Sequence, residues 1–147
     1  MADIFLTYDK STNKDIFIHL DLCSENFIPS LKLTVNIEDY AKKIREFGHT
    51  IEAWKDGILI GLVAFYINRL KDTLFITNVS VLPDNNNNGI ASLLIKNMLE
   101  YAYENSFYII DLEVNSKNIK AISVYQKFGF KITENFDDKI KMFYSNK

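Results

Sequence analysis

The sequence is poor in the residues that cross-link or punctuate a chain: one cysteine, two prolines and five glycines in 147 residues. A single thiol, Cys23, excludes an internal disulfide framework and any zinc site built on several cysteines. Cys23 also sits in an apolar-periodic stretch, which predicts a buried structural thiol. Two histidines far apart, His19 and His49, offer no metal-ligand spacing, so no metal is expected. Scarce proline and glycine exclude a linker-rich or disordered chain. Charge of one sign is also lacking: 17 Lys and Arg against 19 Asp and Glu give a net charge of -2 and a pI near 5.7. Nucleic-acid binders show clustered positive charge instead. The longest apolar run, Ile58–Ile67, is far short of the ~20 residues of a membrane-spanning helix. Met1 to Lys10 has neither the basic start nor the apolar stretch of a secretory signal. The expectation is a cytoplasmic protein, monomer or homodimer, with no nucleic-acid and no membrane partner.

What is present suits one compact domain over residues 1–147, with 48% hydrophobic residues to build a core. Ile4–Thr7 reads as a short strand. Ile16, Leu20 and Cys23 recur at helical spacing within Asn13–Cys23. Phe27–Val35, broken by Pro29, reads as irregular. Asn36 is placed to cap a helix whose face is Ile37, Tyr40, Ala41, Ile44 and Phe47, with Gly48 ending it. Thr50–Lys55 and Ile58–Ile67 read as a hairpin about Asp56-Gly57, a pair suited to two positive φ angles. Thr73–Leu82 is a third strand, rich in β-branched residues. A helix over Ile90–Asn105, a strand over Tyr108–Val114, a helix over Asn118–Phe128 and strands over Phe130–Thr133 and Lys139–Tyr144 complete the chain. The order predicts an α/β domain with a mixed sheet, the strands before and after the long helix parallel.

The segment Ile76–Ile90 is the most informative. A buried strand runs through Pro83 and the run Asn85-Asn86-Asn87-Asn88 to Gly89, where a helix begins. Unpaired N–H groups and the helix dipole at such a start favour an anion, a phosphate or pyrophosphate being the natural guest. Any strand–loop–helix has this geometry, so a solvated turn is the alternative.

The wider pattern narrows the choice. Val79-Ser80-Val81-Leu82-Pro83, then Gly89-Ile90-Ala91, then Leu112-Glu113-Val114, then Asn118-x-x-Ala121-x-x-x-Tyr125-x-Lys127-x-Gly129-Phe130 resembles the GNAT family of N-acetyltransferases. The resemblance is firm over Ile58–Thr133, and Asn118–Phe130 is its most specific part. It implies a mixed, mostly antiparallel central sheet of six to seven strands, α/β (α+β) in class, with helices on both faces and a splayed parallel strand pair. It implies acetyl-coenzyme A as cosubstrate. The family's pyrophosphate loop reads Gln/Arg-x-x-Gly-x-Gly/Ala. Here Asn86 takes the Gln/Arg place, Asn87 falls where many members have a further Gly, and Gly89 and Ala91 hold the small-residue positions. Asn tolerates the left-handed conformation better than other non-glycine residues.

By the same resemblance, main-chain groups around Val79, Ser80 and Val81 would pair with the pantetheine arm, and the loop Asn86, Asn87, Asn88, Gly89, Ile90 and Ala91 would hold the pyrophosphate. Asn118 would touch the cofactor or simply cap its helix. Tyr125 would protonate the departing thiolate, or only pack on the inner face of its helix. Glu113 alternates out of phase with Leu112 and Val114 and so points away from their core. It precedes Tyr125 by twelve residues, the spacing of the Glu/Tyr pair in ribosomal-protein N-terminal acetyltransferases. It is either the base for the amine or a salt-bridged strand carboxylate. Trp54, Phe65 and Tyr66 read as core or hairpin residues rather than substrate walls. The acceptor is read as a small-molecule amine, an amino sugar or a peptide amino terminus. The altered loop keeps a second reading open, a non-catalytic coenzyme A-binding module, and an unrelated α/β interaction domain is a third.

Overall fold

The computed structural model describes residues 3–86 and 88–147. Seven strands form one sheet: β1 (Ile4–Tyr8), β2 (His49–Lys55), β3 (Ile58–Asn68), β4 (Thr73–Val81), β5 (Ile109–Asn115), β6 (Lys131–Phe136) and β7 (Lys139–Ser145), in the order β1-β2-β3-β4-β5-β7-β6. Every neighbouring pair is antiparallel except β4 and β5, which are parallel. That is the mixed, mostly antiparallel sheet that the sequence implies.

Helices α1 (Asn13–Cys23), α2 (Leu31–Thr34) and α3 (Ile37–Phe47) lie on one face. Helices α4 (Ile90–Glu104) and α5 (Ile119–Lys127) lie on the other. Local chemistry sets the helix starts. Thr12 accepts from the Asp15 N–H while Asp15 accepts from the Thr12 N–H, closing both ends of a capping box. Asn36 caps α3 through the Asp39 N–H. Asp56 and Gly57 turn the β2–β3 hairpin with φ of 51° and 77°.

Phe27–Val35 departs from its irregular reading. Leu31–Thr34 forms one helical turn, preceded by a 3-10 turn at Ser24–Asn26. Ser24 Oγ accepts the Lys32 N–H at 3.0 Å, a tertiary bond that holds a turn too short to stand on propensity.

The two faces seal differently. Ile90, Leu94, Met98 and Ala102 of α4 pack on Ile51, Ala53, Val63, Phe65, Leu74, Ile76, Ile110 and Leu112. Gly61 lets α4 come close, since a Cβ there would stand 2.8 Å from Ile90 Cγ2 and 2.9 Å from Leu94 Cδ1. On the other face Ile16, Leu20, Ala41 and Ile44 pack on Leu62 and Ala64. Burying such aliphatic side chains contributes about 1.5–3 kcal/mol each.

Candidate active site

β4 and β5 pair from Thr73↔Ile109 to Ile76↔Leu112 and no further, although β4 continues to Val81 and β5 to Asn115. A bulge marks the parting. On the β3 side Phe65 pairs with Ile76 and Ala64 with Asn78, so Thr77 is the extra residue. The Leu82 N–H donates to the Ile60 carbonyl of β3 at 2.8 Å. By the alternation of an antiparallel ladder, Val79 and Val81 turn their main-chain groups the opposite way, to the edge that β5 has left. Those groups form an open edge to which an extended arm with amides can bond.

At the end of this edge the chain passes a 3-10 turn at Pro83–Asn85 and reaches Gly89, the cap residue of α4, with φ of 78°. Glycine adopts that left-handed conformation without a Cβ penalty. No side chain caps α4 among the described residues, so its first N–H groups, at Ile90 and Ala91, stay available to an anion. Asn86 is extended at φ -64°, ψ 150°. Asn88 is exposed, and Asn87 lies outside the described residues.

Tyr125 and Glu113 occupy opposite faces. Tyr125 is half-buried against the cluster that contains Leu112, Val79 and Val114, its ring edge-on to Phe130 at 5.6 Å. Burial holds its phenol well above the ordinary value. Glu113 points to the other face, exposed, with Lys139 Nζ at 3.9 Å. It borders a cavity of about 330 Å³ lined also by Phe75, Asp111, Glu134 and Lys141. Burial raises the Asp111 carboxyl, opposed by Lys141 and Lys71. Asn118 caps α5, its side chain accepting the Ala121 N–H at 3.2 Å.

Sequence reasoning missed a buried polar chain on the α1/α3 side of β4. Tyr40 Oη lies 2.8 Å from both the carbonyl and Oγ1 of Thr77. Ser80 Oγ donates to Asn78 Oδ1 at 2.8 Å and lies 2.9 Å from His19 Nε2, while His19 Nδ1 reaches the Leu59 carbonyl at 2.9 Å. The Ser80 side chain is thus turned away from α4. Cys23 Sγ is 3.7 Å from His19 Nε2, and burial pushes its thiol up to about 12, against a bond to Ser80 that lowers it. The one available signal was His19 standing between Ile16, Leu20 and Cys23 on an apolar helix face. Trp54 Nε1 donates to Thr7 Oγ1, and Phe65 is core. Among the described residues no His, Cys, Asp and Glu group could hold a metal, and no helix is long and apolar enough to cross a membrane.

Among the described residues, the only parallel pair of the mixed sheet parts beside a glycine-led helix start, a place for an extended arm that ends in a phosphate. Residues 15–130 match the model of the acetyltransferase (GNAT) family, and the chain belongs to that family. Its members use acetyl-coenzyme A as cosubstrate, and the open edge and helix start fit such a molecule. The fold is shared with the Escherichia coli ribosomal-protein-S18-alanine N-acetyltransferase, at 16% identity and a TM-score of 0.79 over 99% of this chain and 94% of that one. A Bacillus subtilis acetyltransferase in complex with coenzyme A aligns over 99% of both chains at 21% identity and a TM-score of 0.74. The PaiA N-acetyltransferase of Thermoplasma acidophilum, also with coenzyme A, gives 16% identity and 0.76 over 97% of this chain and 99% of that one. No curated protein sequence matches the chain.

Proposed function

We propose that the protein transfers acetyl from acetyl-coenzyme A directly to a primary amine, on a small molecule or a peptide or protein amino terminus, in the cytoplasm. The parting of β4 from β5 beyond Ile76 and Leu112, with Tyr125 on one face and Glu113 on the other, carries this reading. Val79 and Val81 bond the pantetheine arm through the main chain, with Ser80 between them anchored to His19. The pyrophosphate rests on the loop Asn86, Asn87, Asn88, Gly89 and on the first N–H groups of α4 at Ile90 and Ala91. Asn118 and Tyr125 flank the arm from α5.

The neutral amine attacks the thioester carbonyl; the C–N bond forms, the C–S bond breaks, and the thiolate leaves. Tyr125 Oη gives the thiolate its proton; burial raises this phenol and so opposes the donation, and the role rests on its place beside the strand gap rather than on its acidity. The amine's proton passes to Glu113, directly or through water, on the face where the acceptor enters. An α-amine, with a pKa of about 8, needs less help than a lysine at about 10.4. The replacement of Gln/Arg by Asn86 supports a second reading, a module that binds coenzyme A without turning over. Binding without thiol release across an amine panel would select it.

Thiol release tests the roles. Tyr125→Phe should lower kcat about 100-fold, the usual contribution of a general acid. An unchanged rate removes Tyr125 from the chemistry. Glu113→Gln should slow a lysine acceptor more than an α-amine acceptor. Equal slowing makes Glu113 a structural partner of Lys139.

A further inference from the structure

We infer that Tyr40 is a positioning residue for acetyl transfer: reaching from α3, its hydroxyl fixes the main chain of Thr77 at the point where β4 leaves β5. The inference rests on the acetyl-transfer reading of that gap, and adds a residue from the half of the chain that carries no recognisable motif.

The geometry leads there in three steps. Pairing with β5 ends at Ile76, and the bulge on the β3 side falls on the next residue, Thr77. A bulged residue drops out of the ladder, so its carbonyl needs another partner. Tyr40 supplies one: its Oη is 2.8 Å from that carbonyl and 2.8 Å from Thr77 Oγ1. Three residues further, His19 holds Ser80 from α1. The free arm of β4 thus keeps its place by β3 on one edge and by side chains from the helical layer, in lieu of a second neighbouring strand. That arm carries Val79 and Val81, against which the thioester is to be held, and misplacement by about 1 Å can lower a rate 100-fold.

Tyr66, on the neighbouring strand, provides the internal control. Its hydroxyl is buried with no hydrogen-bond partner among the described residues. It does not touch the bulge through any hydrogen bond described.

The test compares Tyr40→Phe with Tyr66→Phe. Each removes one hydroxyl and keeps the ring. In the free protein, Tyr40→Phe should speed amide exchange at Asn78, Ser80 and Leu82, whose N–H groups face β3, at least about tenfold while leaving Ile51–Ala53 of β2 unchanged, as expected for local opening. It should raise the Kd for acetyl-coenzyme A about threefold or more, and lower kcat/KM per folded molecule about 10-fold or more. Tyr66→Phe should stay within about twofold of wild type on all three, since no hydrogen bond is lost. A Tyr40→Phe protein that exchanges, binds and turns over like Tyr66→Phe overturns the inference. So does a drop in melting temperature with these three readouts unmoved, which would make Tyr40 a merely structural residue. If Tyr40→Phe does not fold, Thr77→Ala removes one of the two oxygens that Tyr40 reaches; it must then speed the same amides about twofold or more, and wild-type exchange overturns the inference. The exchange readout needs no turnover. Faster exchange in a protein whose wild type never releases thiol would sink the functional reading and, with it, the positioning role, leaving Tyr40 only as a brace of β4.

Discussion

The two faces of the sheet are built on different principles. Under α4 and α5 the core is aliphatic and aromatic, with Leu94, Met98, Leu74 and Ile110 fully buried and no buried polar side chain among the described residues. Under α1 and α3 lie the polar residues that are buried as a whole among the described ones: Ser11, His19, Ser24, Thr50, Glu52, Asn78 and Ser80. The first face needs only shape and volume, because dispersion and burial are non-directional. The second depends on hydrogen bonds in fixed places, since each buried polar group left unpaired costs about 1–3 kcal/mol. The face under α1 and α3 is thus the directional one, and the face under α4 and α5 the generic one.

Glu52 offers the strongest means of breaking that contrast. Its carboxylate is buried and accepts five hydrogen bonds: from Thr7 Oγ1 at 2.6 Å, Lys10 N at 3.0 Å, Ser11 N at 2.6 Å, Ser11 Oγ, and Thr50 Oγ1 at 2.7 Å. Arg45 Nη1 stands 3.7 Å away and also bonds the Ser11 carbonyl. Burial alone would raise this carboxyl; the bonds from Ser11, Thr7 and Thr50 outweigh it and hold it below its ordinary value. Glu52→Gln keeps the shape but aims an amide nitrogen at two or more donors. The variant should lose about 3 kcal/mol in urea denaturation. A loss under about 1 kcal/mol would show the directional picture of this face to be wrong.

The same face should also govern the response to acid. Burial lowers His19 below its ordinary value, against the opposing bonds to Leu59 and Ser80. Asp9 is likewise held low: burial would raise it, but His49, Thr50 and Arg45 prevail. Each of these groups, with Glu52, holds fewer protons folded than unfolded between its two pKa values. Their stabilisation is therefore complete above the unfolded values and is lost as pH falls through the folded ones. Stability should begin to decline below about pH 6.5, where an unfolded histidine charges, and decline more steeply below about pH 4. His19→Gln should flatten the slope between those points and leave the acid limb in place. An unaltered slope would mean that His19 does not contribute to it.

The contrast also explains what could be read from the chain. Alternation in β5, with Ile110 and Leu112 against Asp111 and Glu113, and the helical spacing of Ile90, Leu94 and Met98 are local patterns, so the α4 side was legible residue by residue. Gly89 and the Gly129-Phe130 pair marked their turns for the same reason. Tyr40 with Thr77, His19 with Ser80 and Glu52 with Ser11 join positions 37, 61 and 41 residues apart. No periodicity encodes such pairs. The bulge at Thr77 was hidden too, because a bulge is a property of two strands together rather than of one. Of the candidate site, the helix start at Gly89 was therefore visible in the sequence, whereas the bond from Tyr40 to Thr77 was not.

Leu94 sharpens the comparison from the opposite side, and with the smallest effect. It is fully buried under α4, with Cδ1 over the gap left by Gly61. Leu94→Met conserves volume and adds a flexible thioether that can fit the same space. The cost should stay below about 1.5 kcal/mol, roughly half that of the isosteric change at Glu52. Both substitutions alter a fully buried side chain with little change in volume, so volume does not separate them. Direction does: Met loses no bond, whereas Gln misplaces at least two. If urea denaturation gave equal losses for the two variants, the faces would differ in composition alone, and the polar layer under α1 and α3 would have no special claim to rigidity.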